Sequence, residues 1–236
     1  MPQNLLLAST STLFGGAYLA YLKDALMAHF KGINTMTFVP FARPSGISHE
    51  DYTARAAGFF KTLGIKVQGL HSFSNAKKAI AESEAFFTGG GNTFLLVKTL
   101  HEQGLMQPLK ARLLQGVPYL GCSAGTNIAG ISMQTTNDMP IVYPPSFETL
   151  GLVPFNVNPH YLDPNPALRH NGETRETRIT EFLTQNNIPV VGLREGSWLE
   201  VKGETIALKG NLSARIFEKD KAPYELESGH YFPQRH

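Results

Sequence analysis

A single cysteine, a single tryptophan and a charged fraction of only 17% mark what this 236-residue chain has little of. With Cys122 alone, no intramolecular disulfide can form and no cysteine-based zinc site can be built, as suits a reducing compartment. No His-Glu-x-x-His occurs and no two histidines have zinc spacing on one helix, so neither a metal nor a cofactor is expected. The formal net charge is +2 and there is no run of five or more Lys and Arg, which argues against nucleic acid as a partner. The longest apolar stretches fall far short of the roughly 18 to 20 residues of a membrane span. The start, Met1 to Ala8, lacks the basic and long apolar regions of a signal peptide, so no membrane association and a cytoplasmic address are expected.

What the chain does contain is a steady alternation. Short apolar runs, Asn4 to Ala8, Thr35 to Val39, Lys66 to Leu70, Ala85 to Thr88, Pro118 to Leu120 and Val190 to Leu193, read as strands. Between them, Tyr18 to Phe30, His49 to Leu63, Ala76 to Glu82, Thr93 to Glu102, Gln107 to Leu114 and Thr174 to Gln185 carry apolar residues at helical spacing. This predicts an α/β fold with a mostly parallel sheet sandwiched by helices. After Trp198 three short runs separated by Gly-containing turns predict a short antiparallel C-terminal appendage. Gly and Pro are scattered rather than gathered into a linker, and no internal repeat is visible, so residues 1–236 read as one domain.

Gly121-Cys122-Ser123-Ala124-Gly125 falls between the strand ending at Leu120 and the helical start Thr126 to Ala129. A strand-to-helix turn of this kind holds its central residue in a strained conformation that lifts the side chain over the sheet edge, and small neighbours make room. Ser123 is the candidate nucleophile, and Cys122, one position earlier, should point into the core. The competing reading is a glycine-rich turn that binds phosphate at a helix N-terminus.

A serine hydroxyl needs an imidazole to take its proton. Among eight histidines, His160 in Asn158-Pro159-His160 follows an apolar run and is fixed by a proline, whereas His29 and His101 lie in helical patterns and read as solvated. The orienting carboxylate is Glu195, after the strand Val190 to Leu193, with Asp138 as its rival. The order Ser, His, Glu differs from the Ser, acid, His order of α/β-hydrolases. Gly89-Gly90-Gly91-Asn92 follows a strand and opens a helix, so its amides, with that of Ala124, are candidates for an oxyanion hole. A phosphate cradle is the alternative there, although the P-loop lysine is missing.

Taken together, Gly89-Gly90-Gly91-Asn92-Thr93-Phe94, Gly121-x-Ser123-Ala124-Gly125-x-Asn127, Thr135-Thr136-Asn137-Asp138-Met139-Pro140-Ile141, Asn158-Pro159-His160, Gly172-Glu173-Thr174-Arg175 and Gly192-Leu193-x-Glu195-Gly196-x-Trp198 resemble the peptidase E family of aspartyl dipeptidases. These are serine-nucleophile relatives of the glutamine amidotransferase-like (flavodoxin-like) fold. The resemblance implies Ser123 as nucleophile, His160 as base, Glu195 as orienting acid, and Gly91 and Ala124 as oxyanion donors. It also implies a small peptide substrate with an N-terminal aspartate read by Arg175, with Asn92 as a further substrate contact and Asp138 as an accessory residue. A planar guanidinium matches a carboxylate in two-pronged fashion, which gives Arg175 a physical case of its own. A solvated helix start is the plain alternative.

The segment 161–171, with two prolines, does not match the family residue by residue and is placed to cover the site. A monomer or homodimer is expected. Two rival functions stand beside the dipeptidase: a cyanophycinase-like hydrolase of aspartate-rich polymer, and a non-catalytic ligand-binding domain that keeps the elbow for its shape.

Overall fold

The computed structural model describes residues 3–164 and 172–232. Strands β1 (Asn4–Ala8), β2 (Thr35–Val39), β3 (Lys66–Gly69), β4 (Phe86–Thr88) and β5 (Tyr119–Cys122) are parallel, in the spatial order β3-β2-β4-β5-β1. They are separated by α1 (Lys23–His29), α2 (His49–Lys61), α3 (Ala76–Glu82), α4 (Thr93–Glu102) and α5 (Met106–Leu114). A four-residue helix α6 (Ala124–Asn127) follows β5, and then come β6 (Asn156–Pro159), α7 (Arg175–Gln185) and β7 (Val190–Leu193). The order places the carboxyl ends of β4, β5 and β1 side by side, the edge at which open α/β sheets bind ligands.

Period-two alternation sorts the strand residues between the two faces of this sheet. Leu5 and Leu7 join the core under α4 and α5, whereas Leu6 and Ala8 join Phe38, Phe87, Leu120 and Cys122 in the core under α1 and α2. Cys122 thus points inward, as its position predicts, and burial drives its thiol pKa up so that it stays protonated. Polar side chains set the helix starts: Ser48, Asn75, Asn92 and Thr174 accept from Asp51, Lys78, Leu95 and Thr177 N–H groups. The first helix begins later than its apolar spacing suggests. Leu19 takes a left-handed conformation and a single 3-10 turn, Ala20–Leu22, precedes Lys23.

The C-terminal strands are antiparallel as expected but divide between two sheets. β8 (Ser197–Lys202) pairs antiparallel with β1 and with β9 (Thr205–Gly210), so this hairpin widens the central sheet to seven strands. β10 (Ala214–Phe217) instead pairs with β7 in a second sheet of order β11-β10-β7-β6, closed by β11 (Tyr224–Leu226). Val190 to Leu193 therefore belongs to the second sheet and not to the central one. The physical reason lies in the pairing, since Val190 to Leu193 takes β6 on one side and β10 on the other while β8 occupies the free edge of β1. A Cβ on Gly210 would lie 2.3 Å from the Gly196 carbonyl oxygen, so two backbones pass in contact as the chain changes sheets. Leu199 and Val201 of β8 bury against the central core while Ile216 packs from the second sheet into the same cluster. Among the described residues no helix is long and apolar enough to cross a membrane.

One of the two tightest contacts at the reactive edge is between β4 and α6. A Cβ on Gly125 would meet the Thr88 carbonyl oxygen at 2.2 Å, whereas a Cβ on Gly58, within α2, would meet nothing within 4 Å. Gly125→Ala is therefore expected to destabilise the fold by about 1 to 3 kcal/mol, a fall in Tm of roughly 2 to 12 °C. Gly58→Ala should raise stability slightly through helix propensity. Thermal unfolding of the two variants beside the parent checks the pair; equal effects would contradict the packing argument.

Candidate active site

Ser123 stands between β5 and α6 with φ 54° and ψ −111°, a left-handed backbone for a residue with a side chain. Such strain costs about 1 to 3 kcal/mol and persists only where neighbours fix it. Here the Ser123 N–H donates to the Ala8 carbonyl (3.2 Å), and the Thr126 hydroxyl donates to the same carbonyl (2.6 Å). The Tyr119 hydroxyl donates to Gly125 O (2.7 Å) from below. A Cβ on Gly121 would lie 2.6 Å from Gly125 O, which is why both flanking positions are glycine.

His160 follows β6 and has φ 54°. Its Nε2 lies 2.8 Å from Ser123 Oγ and its Nδ1 lies 2.6 Å from Glu195 Oε1. An ionised carboxylate only accepts, so Nδ1 carries the hydrogen and donates to Glu195, leaving the Nε2 lone pair for the serine O–H. Both distances are within hydrogen-bond range, so the alignment of the triad template is present before any ligand binds.

The backbone of His160 is held by a residue that sequence reasoning missed. Ser9, fully buried at the end of β1, accepts the His160 N–H (2.8 Å) and donates to the Leu193 carbonyl (2.7 Å). One hydroxyl thus ties the end of β1 to the segments carrying His160 and Glu195. Asn137 also braces β6, since its amide donates to Pro159 O (2.7 Å) and accepts from Asn158 (2.8 Å).

Asp138 has a different place from the one its rivalry with Glu195 suggests. Its Oδ2 accepts the Thr93 N–H at the start of α4 (2.7 Å) and the Thr136 hydroxyl (3.0 Å), so it is spent on the loop and does not orient His160. Asn92 is likewise committed: Oδ1 caps α4 through the Leu95 N–H (3.1 Å) and Nδ2 donates to Met139 O (2.8 Å). A substrate contact for Asn92 is therefore not what the geometry favours; its side chain organises the loop instead.

The glycine run lies directly against the serine. A Cβ on Gly90 would come within 2.9 Å of Ser123 Cβ and 3.4 Å of its Oγ, and one on Gly91, at φ 144°, would strike the Ala42 carbonyl at 2.2 Å. Among the described residues the N–H groups of Gly91 and of Ala124, first in α6, have no acceptor. Thr93, Thr136, Asp138, Ser123 and His160 line one shared cleft. Among the described residues, no group of three or more His, Cys, Asp or Glu side chains could hold a metal ion.

Arg175 opens α7 and is half-buried. Burial, helped by neighbouring Arg178, pulls its pKa down while Asp138 pushes it up, which puts its guanidinium within electrostatic reach of the cleft wall. It makes no ion pair among the described residues. Tyr161, directly after His160, is buried against Gly192 and Phe217, and residues 165–171 of the expected covering segment lie outside the described residues. The two helical histidines are less solvated than their pattern suggests. His29 Nε2 is 3.1 Å from Tyr119 O at the far end of β5, where burial lowers its pKa to about 4, and His101 Nε2 is 2.9 Å from Glu148 O.

Beneath the site, Arg194 holds the two segments together. It grips Asp163 through Nε (2.8 Å) and Nη2 (2.6 Å) and Glu225 through Nη1 (2.8 Å). Asp163 stands three residues after His160 and Arg194 one before Glu195, so this ion cluster ties together the segments that carry His160 and Glu195.

The model of peptidase family S51 matches residues 5–209. Peptidase E of Streptomyces coelicolor is 49% identical over 226 residues, covering 96% of this chain and 92% of that protein. A Drosophila melanogaster protein named "Probable alpha-aspartyl dipeptidase" is 47% identical over 227 residues, covering 95% and 93%. The crystal structure of a peptidase from an acI-B1 actinobacterium superposes with a TM-score of 0.73 at 18% identity, covering 98% of this chain and 97% of that one.

Arg194 is also the first cause of a depressed acid. Its hydrogen bonds, with those of Ser213 and Arg215, bring the Glu225 carboxyl down to about 2 from an ordinary 4.5. A folded-state pKa below the unfolded one means that Glu225 stabilises the fold above about pH 4.5, and that this contribution fades as pH falls toward 2. Glu225→Gln is expected to lower Tm at pH 7 and to converge with the parent between pH 4 and 2. Melting curves across that range check it; a constant difference would refute the assignment.

Proposed function

The chain belongs to peptidase family S51, and on that premise we propose that it is a serine dipeptidase that cleaves Asp-X dipeptides through an acyl-enzyme on Ser123. The observation that carries the reading is the unbroken chain Ser123 Oγ, His160, Glu195 with both hydrogen bonds formed. The fold, the family and the names of the relatives support a peptidase acting on small peptides with N-terminal aspartate. Residues from Ser9 to Glu195 contribute to the site, so the chain reads as one catalytic domain.

In this mechanism His160 Nε2 takes the Ser123 proton as Oγ attacks the scissile carbonyl carbon. The negative charge that develops on the carbonyl oxygen is met by the Gly91 and Ala124 N–H groups, preorganised donors of the kind worth about 3 to 4 kcal/mol each in acyl transfer. Glu195 holds the imidazole in the needed tautomer and stabilises its cation without taking the proton. His160 then gives its proton to the departing amine, the C–N bond breaks, and the aspartyl group remains on Ser123. Water enters, His160 takes its proton, and collapse of the second tetrahedral intermediate returns the proton to Ser123 and frees aspartate.

Arg175 gives the site its preference for aspartate. Its guanidinium has no partner among the described residues and sits near the cleft that Ser123 and His160 line, so a carboxylate arriving there meets a free two-pronged donor. Asp138 serves the same region indirectly, by fixing the α4 loop.

Ser123→Ala is expected to lower Asp-Leu turnover by about 10⁶-fold while leaving the melting transition close to that of the parent. Full activity in that variant would end the serine mechanism. Arg175→Ala should reduce kcat/KM on Asp-Leu by roughly 10 to 150-fold, the range of a charged hydrogen bond, and should change Asn-Leu turnover far less. A substrate panel of the two peptides decides between recognition and a merely structural role, since the latter would slow both equally.

A further inference from the structure

Arg175 is one of three arginines near the reactive edge that have no carboxylate partner among the described residues. The others, Arg43 and Arg55, lie across the sheet from it. Arg175 and Asp138 stand on the side of α4, whereas Arg43 and Arg55 pack on tyrosines of the α1 and α2 side, in the cluster that contains Cys122.

The link from Arg43 to the serine is short. Its neighbour Ala42 supplies the carbonyl that Gly91 abuts and that accepts the Asn92 N–H (2.6 Å). The Arg43 guanidinium lies 4.5 Å over the Tyr52 ring, the Tyr52 hydroxyl donates to Gly90 O (3.2 Å), and Gly90 is in contact with Ser123. Arg43 Nε is sealed from solvent without a partner, and the side chain is held on Tyr52 by stacking and by interaction of the guanidinium with the Tyr52 hydroxyl. Arg55 lies 4.7 Å over the Tyr18 ring, and the Tyr18 hydroxyl is also sealed without a partner. Both guanidiniums act electrostatically on Tyr18, which places them around one spot.

An Asp-X dipeptide carries two carboxylates, one on each side of the scissile bond. The residue after the cleaved bond spans only roughly 3.3 to 3.6 Å, so its terminal carboxylate stays within one residue of the catalytic serine. If the aspartyl side chain turns toward Arg175, the second residue crosses the sheet edge to the opposite face. Arg43 lies on that face, held on Tyr52 and with no carboxylate partner among the described residues.

Resting on the Asp-X reading above, we propose that Arg43, with Arg55 behind it, binds the C-terminal carboxylate of the second residue and so restricts the enzyme to dipeptides. The substrate is then gripped by an arginine at each end, with Ser123 between them. Lengthening the peptide would move the carboxylate away from Arg43, and amidation would remove its charge.

The test compares Asp-Leu with Asp-Leu amide in the parent, in Arg43→Ala and in Arg43→Met, which keeps an aliphatic stem over Tyr52. In the parent, kcat/KM for the acid is expected to exceed that for the amide by roughly 10 to 150-fold, the discrimination of a charged hydrogen bond. In both variants KM for the acid should rise and the ratio should fall toward one. A parent that does not distinguish acid from amide overturns the inference, as does a variant in which the two substrates slow by the same factor. Asp p-nitroanilide, which has no second carboxylate, separates this failure from a deeper one. Its hydrolysis by the parent without acid-over-amide preference leaves the dipeptidase reading standing and removes Arg43 from it. No turnover of any Asp substrate removes both.

Discussion

Everything at the reactive edge depends on how closely the β5–α6 backbone approaches β4. Gly125 abuts the Thr88 carbonyl and Gly121 abuts Gly125, so the turn closes only with both side chains reduced to hydrogen. That closure forces Ser123 into a left-handed conformation, and the hydrogen bonds of Ala8 O and Gly125 O keep it there. The same tightness brings Gly90 against the serine. The strain at Ser123 and the approach of Gly90 are thus consequences of one packing constraint and not separate devices.

The features that a short window contains were readable from the residues. Gly-x-Ser-x-Gly between a strand and a helix and three glycines at the end of β4 each encode a local backbone requirement, and both lie where the sequence places them. Pro159 and Gly196 similarly mark the ends of segments that bring His160 and Glu195 together. What the residues did not show was which sheet a strand joins. Val190 to Leu193 is as apolar as a central parallel strand because it is buried on both faces, and burial carries no information about its neighbours. The choice was made by pairing with β6 and β10, and by β8 taking the edge of β1 that a further parallel strand would have used.

Ser9 escaped notice for a related reason. A serine after a strand is ordinary, and only the tertiary structure shows that its hydroxyl reaches His160 and Leu193, more than 150 residues away. Asp138 illustrates the converse error. An acidic residue in a polar loop near a serine looked like a competitor of Glu195, yet the free N–H at the start of α4 was the nearer demand and claimed its carboxylate.

The arginines divide by what has already satisfied them. Arg194 is paired with Asp163 and Glu225 and stacks 5.5 Å from the Tyr161 ring, while Arg215 is paired with Glu176 and Glu225. Their charges are spent inside the protein, and Arg194 can stand next to Glu195 without drawing it from His160 because its fork is full. A guanidinium presents five donors, which water satisfies where the side chain is exposed and which a ligand carboxylate can take over. Among the described residues Arg175 and Arg43 have no carboxylate partner. Arg194 braces the segments that carry His160 and Glu195, and Arg175 and Arg43 remain for the two carboxylates of the proposed substrate.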